Sequence, residues 1–305
     1  GEGLPEDEVY ITAPDPLADF TVPRRSVEQR IADGKALRLQ VPREDHGHYA
    51  RAARRKDPLL ILQAQNRTRL QALVPVRFAR MLASPFAYLR GSAAVMAADL
   101  VSSPLTGLRV QACGDMHVSN FGLYASAERN LIFAINDFDE TFPAAWEWDL
   151  KRLAASASVA AEFLGGDSAD AEAAARMVAH AYRKHMRKYA RMGCLETWYE
   201  TIDATRMLAS LSPDARIGAK RIMDKARGRT HLQVLGKMTE LVNNQHRIIE
   251  EAPLIVRETH TATGRPIGEA LGLFLQAYLE SLTWDRRQLL SGYRIVDVAR
   301  KVVGV

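Results

Sequence analysis

The sequence predicts an α+β protein in which a small β unit carries a polar site and a helical bundle follows. Two observations carry this expectation. Leu108–Cys113 (LRVQAC), Phe121–Ala125 (FGLYA) and Leu131–Ile135 (LIFAI) have the length and apolar content of strands, and SAERN between the last two suits a hairpin loop. After Trp148 nearly every stretch recurs with a helical period, broken at Gly165-Gly166, Gly193 and Ser212-Pro213.

Taken in order, residues 1–25 read as an extended, Pro-rich arm. Ser26–Leu39 and Asp57–Leu73 read as helices, the second opened by Asp57 as N-cap with Pro58 in the first helical position. The segment VPVRFARMLASPFAYLRG is mixed, punctuated by Pro75 and Pro85, and the Ala-rich Gly91–Leu100 is a short helix expected behind the first strand. Gly114 ends that strand in a sharp turn, because glycine frees the backbone. The later helices are Trp148–Phe163, Ser168–Arg191, Glu196–Leu211, Pro213–Arg227, Thr230–Leu241 and Gly268–Leu282. This divides the chain into an arm and helical segment over 1–100 and a lobe over 101–305 that is helical after 148.

At 305 residues, 47% hydrophobic and 25% charged, the chain has ample material for a core. Two cysteines are too few for a disulfide framework and point to a reducing compartment. The acidic N-terminus is unlike a signal peptide, and no apolar run is long enough to span a bilayer. A cytoplasmic protein without a membrane partner is expected. A net charge of +5 suits a polyanionic ligand such as ATP and would equally suit nucleic acid, although nucleic acid is not the expected partner.

The chemistry concentrates in GDMHVSN (Gly114–Asn120) and INDFD (Ile135–Asp139). Asp115 and Asn120 share a loop, and the intervening hairpin returns the chain so that Asp137 comes beside Asn120. Phosphoryl transfer needs a carboxylate that orients and deprotonates the attacking hydroxyl, and Mg²⁺ to neutralise phosphate oxygens. Mg²⁺ takes oxygen ligands, typically one or two from the protein. Asp115 is therefore the expected base, Asn120 and Asp137 the metal ligands, and Asp139 a further metal or substrate contact.

Asp, four residues, Asn, a hairpin, then Asp-Phe resembles the catalytic and metal-binding loops of protein-kinase-like enzymes, in the form used by aminoglycoside and choline phosphotransferases. A narrower resemblance runs through RGSAAVMAADL (Arg90–Leu100), CGDMHVSNFG, NDFDETFP and WEWDLKRLAAS (Trp146–Ser156) to the bacterial family called domain of unknown function 2252. It implies a kinase-like catalytic lobe of the C-terminal type, with ATP and Mg²⁺ as cofactors and a small-molecule or protein acceptor. It also implies a supporting role for His117, as a loop brace, and for Arg152. Asp149 matches the acidic residue that accepts hydrogen bonds from the catalytic-loop backbone, or else caps its helix. No glycine-rich loop with a strand lysine precedes Asp115. The resemblance therefore implies a nucleotide-covering lobe that is missing, or permuted to after residue 305, and a chain inactive by itself.

Two other classes remain in view. Asp115-Met116-His117 looks like the start of a two-metal phosphoesterase site, but no Asn-His pair follows. A non-catalytic kinase-like module binding nucleotide, protein or nucleic acid is the alternative to an enzyme. Arg183, Lys184, Arg187, Lys188 and Arg191 recur at helical spacing, and Lys220, Arg221, Lys225, Arg227 and Arg229 make a second cluster near a helix C-terminus; solvated faces are the default reading of both.

Overall fold

The structure is a computed structural model and describes residues 22–302 apart from 24, 127, 228–230 and 262. The arm expected over 1–25 lies almost wholly outside the described residues, as do Val303–Val305.

The architecture is α+β, with helices enclosing four two-stranded antiparallel sheets. Helix α1 (Val27–Gln40) opens with a capping box: Gln29 donates its N–H to Ser26 Oγ at 3.2 Å, and Ser26 donates its own to Gln29 Oε1 at 2.9 Å. Helix α2 (Pro58–Asn66) starts as the sequence requires, with Leu59 donating to the Asp57 carboxylate at 2.8 Å. It stops at Asn66 rather than Leu73, because the Gln71 side chain donates to the carbonyls of Asn66 and Arg69 that the helix end leaves open. The mixed segment resolves into α3 (Val74–Met81) and α4 (Pro85–Gly91), each with a proline in its first turn, and α5 (Ala93–Leu100) follows.

Leu62, Met81 and Val95 form the buried core of these helices, with Ile61 and Phe78 against it. Buried Arg77 ties three of them together, donating to Asn66 Oδ1 and to the Gly91 carbonyl, both at 2.7 Å. Gly91 is required there: a Cβ would meet the Met81 side chain at 2.6 Å.

The site is built on two sheets. Strand β1 (Arg109–Ala112) pairs with β4 (Phe142–Ala145), and β2 (Phe121–Ala125) forms a hairpin with β3 (Leu131–Ile135) at the boundaries the sequence indicated. Strand β4 was not foreseen; its Pro143 is tolerated because the sheet has only edge strands. It runs straight into α6 (Trp146–Phe163), which packs along α7 (Ser168–Tyr189).

Beyond α7 the expectation of an all-helical remainder is corrected. The helix expected over Glu196–Leu211 is two, α8 (Cys194–Tyr199) and α9 (Ala204–Ser210). The break exists because the Ile202 carbonyl accepts from Phe133 of β3 at 2.8 Å, while Asp203 caps α9 by accepting from Arg206 N–H. Helix α10 (Pro213–Arg227) is as expected, but α11 ends early (His231–Met238). There the chain turns into a hairpin of β5 (Thr239–Val242) and β6 (Gln245–Ile248). Asn243 and Asn244, both at positive φ, make the two-residue turn that such a hairpin needs. Strand β7 (Ile255–Arg257) pairs with β8 (Ala299–Lys301) across α12 (Ile267–Ser281) and α13 (Trp284–Ser291). No helix among the described residues is long and apolar enough to cross a membrane.

Candidate active site

Helix α6 holds the Gly114–Asn120 loop through one polar stripe. Asp149, Arg152 and Ser156 are spaced three and four apart, so they share a face. Cys113 and Gly114 donate their N–H groups to the two Asp149 oxygens at 2.7 and 3.0 Å. Buried Arg152 donates Nε to Asp115 Oδ1 at 2.8 Å, a second N–H to the same oxygen, and another hydrogen bond to the Leu89 carbonyl of α4 at 2.7 Å. Fully buried Ser156 accepts from Val118 N–H at 3.0 Å and donates to the Leu153 carbonyl at 2.7 Å. Asp149 is not a helix cap: α6 begins at Trp146, so Asp149 lies inside the first turn and is free to turn toward the loop.

The loop can lie this close only with glycine at 114. Its φ is +81°, and a Cβ would sit 2.3 Å from the Glu140 carbonyl oxygen. The second loop, Asn136 to Thr141, therefore crosses directly over the first. Thr141 Oγ1 donates to the Ala112 carbonyl at 2.7 Å and holds the crossing.

Buried Asn120 joins the two loops. Its amide nitrogen donates to the carbonyls of Asp115 (3.2 Å) and Asp137 (3.1 Å), and its Oδ1 accepts the Asp137 N–H at 3.0 Å. Asp115, Asn120 and Asp137 are thus brought together, with Asn120 serving as the brace between the other two. The Asp137 side chain is exposed, and its Oδ1 accepts from Asp139 N–H at 3.3 Å. Asp139 is exposed beside it. His117 is buried with Nε2 3.6 Å from Asp115 Oδ2, and its Nδ1 has no hydrogen-bond partner.

The electrostatics follow from this layout. Burial pushes the Asp115 carboxyl up, but the nearby His117 ring and the Arg152 guanidinium outweigh it, and the net value lies below the ordinary one. Asp115 is a carboxylate at neutral pH. The Glu140 carboxyl is pushed up, first by lost hydration and then by Asp115, Asp137 and Asp139. The Cys113 thiol is pushed up by burial, with Asp149, Asp115 and Asp137 adding to it against a backbone hydrogen bond. Two of these groups thus register a negative field around the crossing loops.

That field and donor set fit a hard divalent cation held by few protein oxygens. Among the described residues no three His, Cys, Asp or Glu side chains gather as a metal cluster. Asp137 would hold the cation, and Asn120 Oδ1 keeps one lone pair beyond the Asp137 N–H.

Sequence reasoning missed Ser156 and Glu147. Ser156 could have been read from its place four residues after Arg152, on the face that Asp149 and Arg152 already mark as polar. Glu147 is buried and accepts from both the N–H and the hydroxyl of Thr106, at 2.7 and 2.6 Å, which ties the segment before β1 to α6. Nothing local in the sequence signals that pairing.

Residues 69–305 match the family described as "Uncharacterized protein conserved in bacteria (DUF2252)". The chain belongs to that family. No curated protein and no solved structure matches it. The DUF2252 match covers every residue of the crossing loops and the whole Asp149–Ser156 stripe.

Proposed function

We propose that this chain carries the catalytic loop of a kinase-like, Mg-ATP-dependent phosphotransferase acting on a hydroxyl-bearing acceptor. The observation that carries the reading is the joining of the Asp115 and Asp137 loops through Asn120 over a backbone pinned by Asp149. Phosphoryl transfer depends on positioning and charge more than on covalent chemistry, so a rigid pair of carboxylate-bearing loops is what it requires.

On this reading Asp115 Oδ1 is anchored by Arg152, and Oδ2 accepts and orients the acceptor hydroxyl, taking its proton as the phosphoryl group leaves. His117 braces that carboxylate. Asp137 and Asn120 would hold Mg²⁺, which when bound neutralises charge on the phosphate oxygens. Asp139, exposed on the same loop, would contact the cation or substrate. A second reading, a non-catalytic kinase-like binding module, is favoured by one feature: the Arg152 ion pair and the Asn120 bridge give both side chains structural work.

Calorimetry with Mg-ATP on the full-length protein separates the two. Asp137→Ala should abolish metal-dependent nucleotide binding. Asp115→Asn should preserve it while turnover falls by about 10²–10⁴. Unchanged turnover in a folded Asp115→Asn protein would remove the catalytic assignment; binding without turnover in the parent would favour the module.

A further inference from the structure

The last three turns of α7 carry a cationic surface that the proposed reaction does not use. From Ala173 to Leu195 the chain has six Lys or Arg residues and no Asp or Glu. Arg183, Arg187 and Arg191 repeat every four residues, as do Lys184 and Lys188, and like charges at that spacing destabilise a helix. All five are exposed. Among the described residues Arg183, Lys184, Arg187 and Arg191 have no carboxylate partner, whereas Lys188 pairs with Glu200 at 2.7 Å.

The helix dipole favours cations in a final turn. It does not account for the second element brought to the same place. Arg43, just after α1, is crowded by Arg38, Arg183 and Arg187: burial first, then these three, hold its guanidinium below the ordinary value. Ring contacts place the same segment there: His46, three residues after Arg43, meets Trp146 at 6.1 Å, and Trp146 stacks on Tyr182 of α7 at 5.6 Å, so one further arginine, Arg43, comes to the stripe from a distant part of the chain. Between the α7 side chains, from His180 to Arg191, lies a concavity of about 550 Å³. Just beyond, Trp198 and Tyr199 of α8 are 82% and 70% exposed, and the Lys188–Glu200 pair holds the end of α8 against α7.

We infer that Arg43, Arg183, Lys184, Arg187 and Arg191 form a cradle for the sugar-phosphate backbone of a single-stranded nucleic acid, with Trp198 and Tyr199 offering faces for its bases. A row of cations at about 6 Å intervals along a helix matches a chain of phosphates, and exposed aromatic rings stack any base. The cations follow a single line along the helix, with Arg43 beside it, which suits a strand better than a flat bilayer. Composition left nucleic acid open without favouring it; the approach of Arg43 to α7 is what the sequence did not show.

The test is fluorescence anisotropy with fluorescein-labelled dT₂₀ between 50 and 200 mM KCl. Five engaged cations at a slope of about −0.7 per phosphate should lower affinity by roughly 130-fold over that range. Arg183→Gln/Arg187→Gln should weaken binding at 50 mM by at least tenfold, while Arg183→Lys/Arg187→Lys, which keeps the charges, should stay within a few-fold of the parent. Lys220→Gln/Arg221→Gln, on α10, should leave binding unchanged. No binding at 50 mM KCl, a flat salt dependence, equal loss in the α10 variant, or binding to phosphatidylserine vesicles in place of the oligonucleotide would overturn the inference.

Discussion

Asp149→Ala isolates the device that shapes the candidate site. The carboxylate accepts two backbone hydrogen bonds, at 2.7 Å from Cys113 and 3.0 Å from Gly114. Cys113 is buried, so its orphaned N–H costs about 1–3 kcal/mol; Gly114 is exposed, water replaces its partner, and the net loss there is about 1 kcal/mol. The expected total is about 2–4 kcal/mol, a fall in Tm of roughly 3–6 °C for a chain of this size. Asp149→Asn keeps one acceptor oxygen and should lose about half as much. Urea unfolding followed by far-UV circular dichroism measures both, with an unchanged m-value as the sign that only stability moved. If Asp149→Ala stayed within about 0.5 kcal/mol of the parent, the carboxylate would not be what holds the loop.

Arg152→Leu should destabilise by about 2–4 kcal/mol in the same assay, since it strips a half-buried Asp115 of its cation and the Leu89 carbonyl of its donor; a silent variant would refute the anchoring role. Gly114→Ala forces a positive φ on alanine and a Cβ into the Glu140 carbonyl, so a loss of at least about 2–4 kcal/mol is expected, and an unaffected melting curve would contradict the crossing of the two loops. Glu140 has a folded-state value raised above the ordinary 4.5, so its ionised form opposes folding. That opposition is absent below the unfolded value and complete above the folded one. Glu140→Gln should therefore stabilise the protein at pH 7 and give no gain at pH 4, and equal effects at the two pH values would sink the argument.

Much of the site could be read locally. The β2–β3 hairpin follows from two five-residue apolar runs around a polar loop, and Gly114 from the need for a left-handed turn. The Asp57-Pro58 helix start was legible because its interacting groups lie on one turn, whereas the position of Asp149 under the loop followed from the family resemblance, since Asp149 and Cys113 are 36 residues apart. The strands β5 to β8 were not, being three or four residues long, too short to show a period; β7 finds its partner more than forty residues away. The break between α8 and α9 exists because Ile202 meets the edge of β3. What the sequence by itself determined is the set of polar groups and the local backbone that presents them. Tertiary structure alone decided their partners: that Asn120 bridges two loops, that Arg152 grips Asp115, and that Arg43 stands beside Arg183 and Arg187. Backbone periodicity is written within a few residues, whereas desolvation and charge pairing depend on which distant segment arrives alongside.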